Sequence, residues 1–89
     1  MFFTYIIFSN TLDKFYIGST ENLKDRLLRH NRGCTKFTSK ANDWKLVYFE
    51  VFNSKSDAIK REFDIKNKKS RKYILKLIEN FNASEHPDF

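Results

Sequence analysis

Five side chains in this sequence have the types and spacing of a hydrolytic site: Tyr5, Tyr16, Arg26, His30 and Glu62. The two tyrosines stand eleven residues apart in MFFTYIIFSNTLDKFYIGST, each among apolar neighbours. A buried phenol needs a partner for its hydroxyl, so these residues read either as core aromatics or as members of a site. Phosphodiester hydrolysis needs an activated water, a cation against the charge on the phosphoryl oxygens, and help for the leaving oxygen. Glu62 has the chemistry to hold a hard divalent ion such as Mg²⁺, leaving most of the coordination to water and phosphate. Arg26 can grip phosphate through its planar fork. A tyrosine at its ordinary pKa of about 10 is a poor base, and nearby cations lower that value.

The elements that must position these groups follow from pattern. Phe2 to Ser9 and Phe15 to Ser19 are rich in Phe, Tyr and Ile, with turn residues Asn10-Thr11-Leu12-Asp13 between them, and read as a β-hairpin. Alternation puts Phe3, Tyr5 and Ile7 on one face, and Tyr16 with Gly18 on one face of the second strand. Asn22 to about Asn31 reads as a helix with Gly33 as its terminal glycine. CTKFTSKAND is a polar connection carrying Phe37, and WKLVYFEVF is a third strand. Ser54-Lys55-Ser56-Asp57 resembles a capping box opening a helix to about Lys68. Ser70 can cap another, whose stripe is Tyr73, Ile74, Leu77, Ile78 and Phe81. The order ββαβαα predicts one small α/β domain over residues 1–82, with helices covering an antiparallel or mixed sheet, and residues 83–89 as a frayed tail.

Projected at about 100° per residue, Arg26 and His30 share the inward arc of Leu23 and Leu27, while Leu28 lies off the stripe. In the next helix Glu62 falls mid-arc among Ala58, Ile59, Phe63 and Ile65, and Lys60, Arg61 and Asp64 project away. A carboxylate on an apolar face needs a cation, a metal or several donors. An Arg26–Glu62 ion pair bridging the helices is therefore one reading, and a metal ligand is the other.

Composition narrows the partners. With 89 residues, 40% apolar and 17% aromatic, the chain holds one modest core and is not disordered. No apolar run reaches membrane-spanning length, and the N-terminal stretch lacks the marks of a signal peptide. The single Cys34 excludes an internal disulfide or a cysteine metal cluster. Cytoplasm is the expected location. The net charge of +6 concentrates in residues 54–72, which carry eight basic and three acidic side chains. Such a patch means either polyanion binding, through Lys66, Lys68, Lys69, Arg71 and Lys72, or a solvated helix face.

The joint pattern resembles the GIY-YIG nuclease superfamily, in particular its small stand-alone bacterial type. The second signature motif is intact as Tyr16-Ile17-Gly18; the first stands as Tyr5-Ile6-Ile7, with Thr4 where the named motif has Gly-Ile. Arg26, His30 and Glu62, the last within Lys60-Arg61-Glu62, keep the family's order, and KFTSKANDWKLVYFE and SKSDAIKREFDIK are also similar. The resemblance covers roughly residues 2 to 82. It implies an α/β domain of the α+β type on a three-stranded antiparallel sheet flanked by helices, a DNA endonuclease with one divalent ion, Mg²⁺ or Mn²⁺, in a setting such as DNA repair or recombination. Such an enzyme takes DNA as partner, needs no organic cofactor or membrane, and is a monomer or weak homodimer. Tyr16 or Tyr5 would activate water, Arg26 would stabilise phosphoryl charge, His30 would assist proton transfer or orient a tyrosine, and Glu62 would hold the metal. Tyr16 is favoured as base because Gly18 beside it permits close approach. The single inward acid agrees with one metal rather than two. The family's later asparagine has no obvious counterpart: position 74 is Ile, and Asn82 is taken in preference to Asn80. Weak sequence selectivity or a preference for unusual DNA structures is expected. The competing reading is a catalytically degenerate DNA- or RNA-binding module of the same fold.

Overall fold

FFTYIIFS has an almost unbroken run of buried side chains, Thr4 to Ile7, because it forms the middle strand of the sheet and is covered on both faces. A computed structural model describes residues 1–83. Its elements are β1 (Phe2–Ser9), β2 (Lys14–Thr20), α1 (Leu23–Asn31), a single 3₁₀ turn (Thr38–Lys40), β3 (Trp44–Phe52), α2 (Lys55–Lys68) and α3 (Arg71–Ala83). The strands are antiparallel in the order β2-β1-β3, so the expected ββαβαα arrangement holds. Of the expected tail, all beyond Ala83 lies outside the described residues.

Register sorts the strand residues to two faces. Tyr5 pairs with Gly18 and Ile7 with Tyr16, so these four share a face. That face packs with Leu23 of α1 and with Trp44, Leu46 and Phe49 of β3. On the other face Ile6, Ile17 and Tyr48 meet Ile65 of α2 and the stripe Tyr73, Ile74, Leu77, Ile78 and Phe81 of α3. The register between β1 and β3 shifts between Ile6 and Ile7, leaving Val47 out of the pairing. This bulge re-phases β3, allowing Leu46 and Phe49 to point the same way although strict alternation would separate them.

Capping follows the expected chemistry. The Asn22 side chain accepts from the Asp25 amide, and Gly33, at φ +78°, ends α1 where a side chain would be strained. Ser54 accepts from the Asp57 amide, and the Ser70 hydroxyl accepts from the Tyr73 amide at 3.1 Å.

Two helix-phase expectations are corrected. Phe63, expected inward, is 55% exposed. Arg61, expected outward, is held inward by Glu50 at 2.9 Å, Asp64 at 2.6 Å and the Tyr73 hydroxyl at 3.2 Å. The apolar arc of α2 is narrow: Ala58 and Ile65 are its buried residues, and the flanking positions are decided by what stands opposite on β3 and α3.

Candidate active site

The site begins with one buried chain of hydrogen bonds. Tyr5 is 2% exposed and His30 and Thr38 are fully buried. Tyr5 Oη lies 2.8 Å from His30 Nε2, and His30 Nδ1 lies 2.8 Å from Thr38 Oγ1. The Thr38 hydroxyl donates to the Thr35 carbonyl at 3.3 Å, so its oxygen accepts from His30 Nδ1–H. That leaves Nε2 as the acceptor of the Tyr5 O–H, fixing the tautomer by the chain itself. Burial, reinforced by the Arg26 charge, pushes His30 down to about 4 from 6.5, so the ring is neutral at pH 7. Burial and then the neighbouring Tyr16 push the Tyr5 phenol far above its ordinary value, against the pull of Arg26. The expectation that cations lower the tyrosine pKa is thus corrected for Tyr5: desolvation wins.

The turn carrying Thr38 is pinned from outside. The Trp44 indole donates to the Thr38 carbonyl at 2.9 Å. Asn31 closes the other side, accepting from the Trp44 amide at 2.7 Å and donating to its carbonyl at 2.9 Å. Gly18 explains the path of Tyr5. A Cβ at position 18 would lie 2.5 Å from the Tyr5 oxygen and 2.7 Å from Cζ, so the phenol crosses β2 only because that residue is glycine.

Around this chain stand the other candidates. Tyr16, half-buried, holds its ring 4.9 Å from that of His30. Arg26, also half-buried, stands near enough for its charge to pull against the rise of the Tyr5 phenol. It lines a cleft of about 370 Å³ with Ser19, Glu21, Asn22, Asp25, Lys55 and Ala58 among others. Arg26 makes no ion pair among the described residues, so the Arg26–Glu62 bridge does not form. Glu62 comes from the opposite face of the sheet. Its Oε1 accepts from Ser19 Oγ at 2.8 Å and its Oε2 from Lys66 Nζ at 2.5 Å. The two faces meet around the edge strand β2: Ser19 lines the same cleft as Arg26, and the Glu62 charge is felt at the Tyr5 phenol.

Among the described residues no three His, Cys, Asp or Glu side chains gather as a ligand cluster. Glu62 nonetheless fits a hard divalent ion as a lone protein ligand. Its side chain is largely shielded and is oriented by the Ser19 hydroxyl on Oε1, and an incoming ion would take the place of the Lys66 ammonium on Oε2.

The remaining candidates are placed differently. Asn82 is exposed at the end of α3, beside Phe81, whose ring packs on Tyr48 and Phe49 of β3. It therefore lies toward the sheet edge away from β2 and is not brought to the cleft. Of the basic run, Lys66 pairs with Glu62, Lys68 with Asp64 at 4.0 Å and Arg71 with Asp13 at 2.7 Å. Lys69 and Lys72 are exposed and make no ion pair among the described residues.

Sequence reasoning missed Thr38 and Ser19. Ser19 had a signal, since parity on β2 puts it on the face opposite Tyr16. Thr38 had none, because a single 3₁₀ turn leaves no periodicity to read.

Comparison with known proteins identifies the family. The family description "GIY-YIG catalytic domain" matches residues 1–74. The chain is 42% identical over 74 residues to a UPF0213 protein of Clostridium perfringens, covering 82% of this chain and 78% of that one. It is 45% identical over 65 residues to a UPF0213 protein of Staphylococcus haemolyticus, covering 72% and 78%. A UPF0213 protein of Staphylococcus epidermidis is 36% identical over 78 residues, covering 86% and 93%. No solved structure gives a significant match. With its match over most of the chain and relatives at 42% and 45% identity, the chain belongs to the GIY-YIG catalytic-domain family.

Proposed function

We propose that this chain is a divalent-metal-dependent endonuclease hydrolysing DNA phosphodiester bonds, selective for DNA structure or only weakly for sequence. The observation that carries the reading is Arg26: a half-buried guanidinium with no ion pair among the described residues, beside the Tyr5 phenol and the neutral His30 imidazole, at the wall of a cleft that Glu21 and Asp25 also line. A cation kept unneutralised in such a place is suited to an anion supplied from outside, and a phosphate matches its fork.

The roles follow from accessibility and proton bookkeeping. Tyr16, as the phenolate, takes the proton of the attacking water and becomes the phenol, because it is the less buried of the two tyrosines. Tyr5 holds its own proton toward His30 Nε2 and fixes the geometry beside it. His30, locked as the Nδ1–H tautomer by Thr38, keeps an uncharged acceptor in the buried chain. Arg26 offsets charge gathering on the non-bridging oxygens. Glu62 holds one Mg²⁺ or Mn²⁺ ion, which when bound neutralises phosphate and leaving-group charge. Lys69 and Lys72, with Lys66, Lys68 and Arg71 when their partners release them, contact the DNA backbone. Asn82 plays no part at the reacting phosphate. The active species is a monomer or weak homodimer.

The test is cleavage of supercoiled plasmid and branched DNA with Mg²⁺ or Mn²⁺ against an EDTA control, alongside Glu62→Gln. Metal-dependent cutting is expected, falling roughly 10² or more in the variant while DNA binding persists. A parent that binds DNA but cuts no form of it with either ion assigns the chain to the binding-module reading instead.

A further inference from the structure

Beside the candidate site one aromatic ring is left facing solvent. Phe37 is 51% exposed, and its ring centroid lies 5.6 Å from that of Tyr16, with the planes inclined by 36°. Tyr16 in turn lies 4.9 Å from His30. A ladder of three rings therefore runs from the buried histidine through the candidate base to water. Other large apolar side chains are exposed, Leu28, Val51, Phe63 and Leu75 among them, and scattered singly they need no explanation. Phe37 differs because, among these exposed side chains, it is in ring contact with a residue of the site.

Its loop is anchored by the residues next to it. Thr38, the next residue, is buried in the His30 chain and held through its carbonyl by the Trp44 indole. The Ser39 hydroxyl bonds the Lys36 carbonyl at 2.8 Å. Folding thus holds the Phe37 ring outward instead of collapsing it inward, and Lys36 and Lys40, both exposed, flank it with positive charge. A fixed ring with one partner face filled and the other open, between cations, matches the recognition of single nucleobases: stacking supplies the contact and the lysines follow the backbone. A base still paired within a duplex has no free face for such a ring.

We propose that Phe37 is a stacking platform for an unpaired nucleobase next to the phosphate that is cut, and so determines which DNA structures are accepted. The proposal rests on the nuclease reading for the position of that phosphate. It does not need cutting to be tested.

The experiment measures binding of the full chain, in EDTA so that cutting is suppressed, to a single-stranded oligonucleotide and to its duplex. A second series of the same strand carries one abasic site at each position in turn. Phe37→Ala is expected to weaken single-strand binding about tenfold, the scale of one lost base–aromatic stack. It should leave duplex binding unchanged, with Phe37→Trp restoring the loss. In the parent, an abasic site at one position reproduces that loss, and in Phe37→Ala it adds nothing further. Equal binding by parent and Phe37→Ala overturns the proposal, as does equal weakening on single strand and duplex. So does a parent that dimerises through this ring, with Phe37→Ala monomeric and its DNA affinity intact. Cutting by the parent is scored separately with Mn²⁺. Cutting without any abasic effect removes the platform and keeps the nuclease, while the abasic coupling without cutting keeps the platform and removes the nuclease.

Discussion

Two half-buried arginines, Arg26 on α1 and Arg61 on α2, each stand beside a tyrosine of the sheet, and they are treated in opposite ways. Around Arg61 every charge is closed. Glu50 and Asp64 neutralise it, the Tyr73 phenol accepts a further bond, and Tyr48 donates to the same Glu50 at 2.5 Å. Burial, with that bond to Glu50, pushes Tyr48 up to about 12, so its proton stays in place. Around Arg26 the charge is left open: the Tyr5 phenol and a neutral imidazole stand beside it, and no carboxylate pairs with it among the described residues. A closed network specifies packing between β3, α2 and α3. An open one leaves electrostatic potential unspent at a cleft, where it is useful only to a ligand.

The sharpest way to break this contrast is to remove each cation. Arg26→Gln is expected to lower DNA cutting by roughly 10²–10³, with the melting temperature unchanged. Arg61→Met should leave cutting intact below its melting transition but cost about 2 kcal/mol of stability, less than a fully buried pair because Arg61 is partly solvated. Paired thermal melts and cleavage rates check both. A variant of Arg26 that cuts like the parent, or one of Arg61 that melts like it, dissolves the distinction.

The protonation state of the open site offers the next measurement. His30 is neutral in the folded chain down to about pH 4, whereas an unfolded histidine charges below 6.5. Between those values the unfolded state binds more protons, so stability present above about pH 6.5 is lost as pH falls toward 4, by up to about 3 kcal/mol. Urea unfolding across this range should show the slope in the parent and its loss in His30→Asn. Asp43 does not blur the window. Its carboxyl is held below its ordinary value of 3.8 by the Ser9 hydroxyl and the Thr11 amide, so its contribution is lost only at lower pH.

The smallest effect separates open from closed cations on the surface. Lys69→Ala and Lys72→Ala should each make the log–log salt dependence of duplex binding shallower by about 0.9. Lys68→Ala, whose ammonium is already near Asp64, should change it less. Equal changes from all three would mean that surface pairing does not restrain these lysines.

Several features of the fold are set by local chemistry and are legible along the chain. β-rich runs around Asn10–Asp13 make the hairpin, Asn22, Ser54 and Ser70 cap the helices, and Gly33 ends α1. Period two brings Tyr5, Tyr16 and Gly18 to one face, and period 3.6 brings Arg26 and His30 inward together. Partners were not legible, because periodicity records which side of an element is apolar and says nothing of what stands opposite. Glu62 faces Ser19 and Lys66 rather than Arg26 because α2 packs on the far face of the sheet and reaches the site only around the edge of β2. Arg61 turns inward because Glu50 and Tyr73, distant in sequence, supply its hydrogen bonds. A bulge at Val47, which no composition signals, re-phases β3. Thr38 becomes the anchor of His30 only once Trp44 folds back over its turn. The residue types that could do chemistry were therefore determined by the sequence itself; which charges are closed and which are left open was decided by the crossing of elements in space, since neutralising a charge depends on distance in three dimensions.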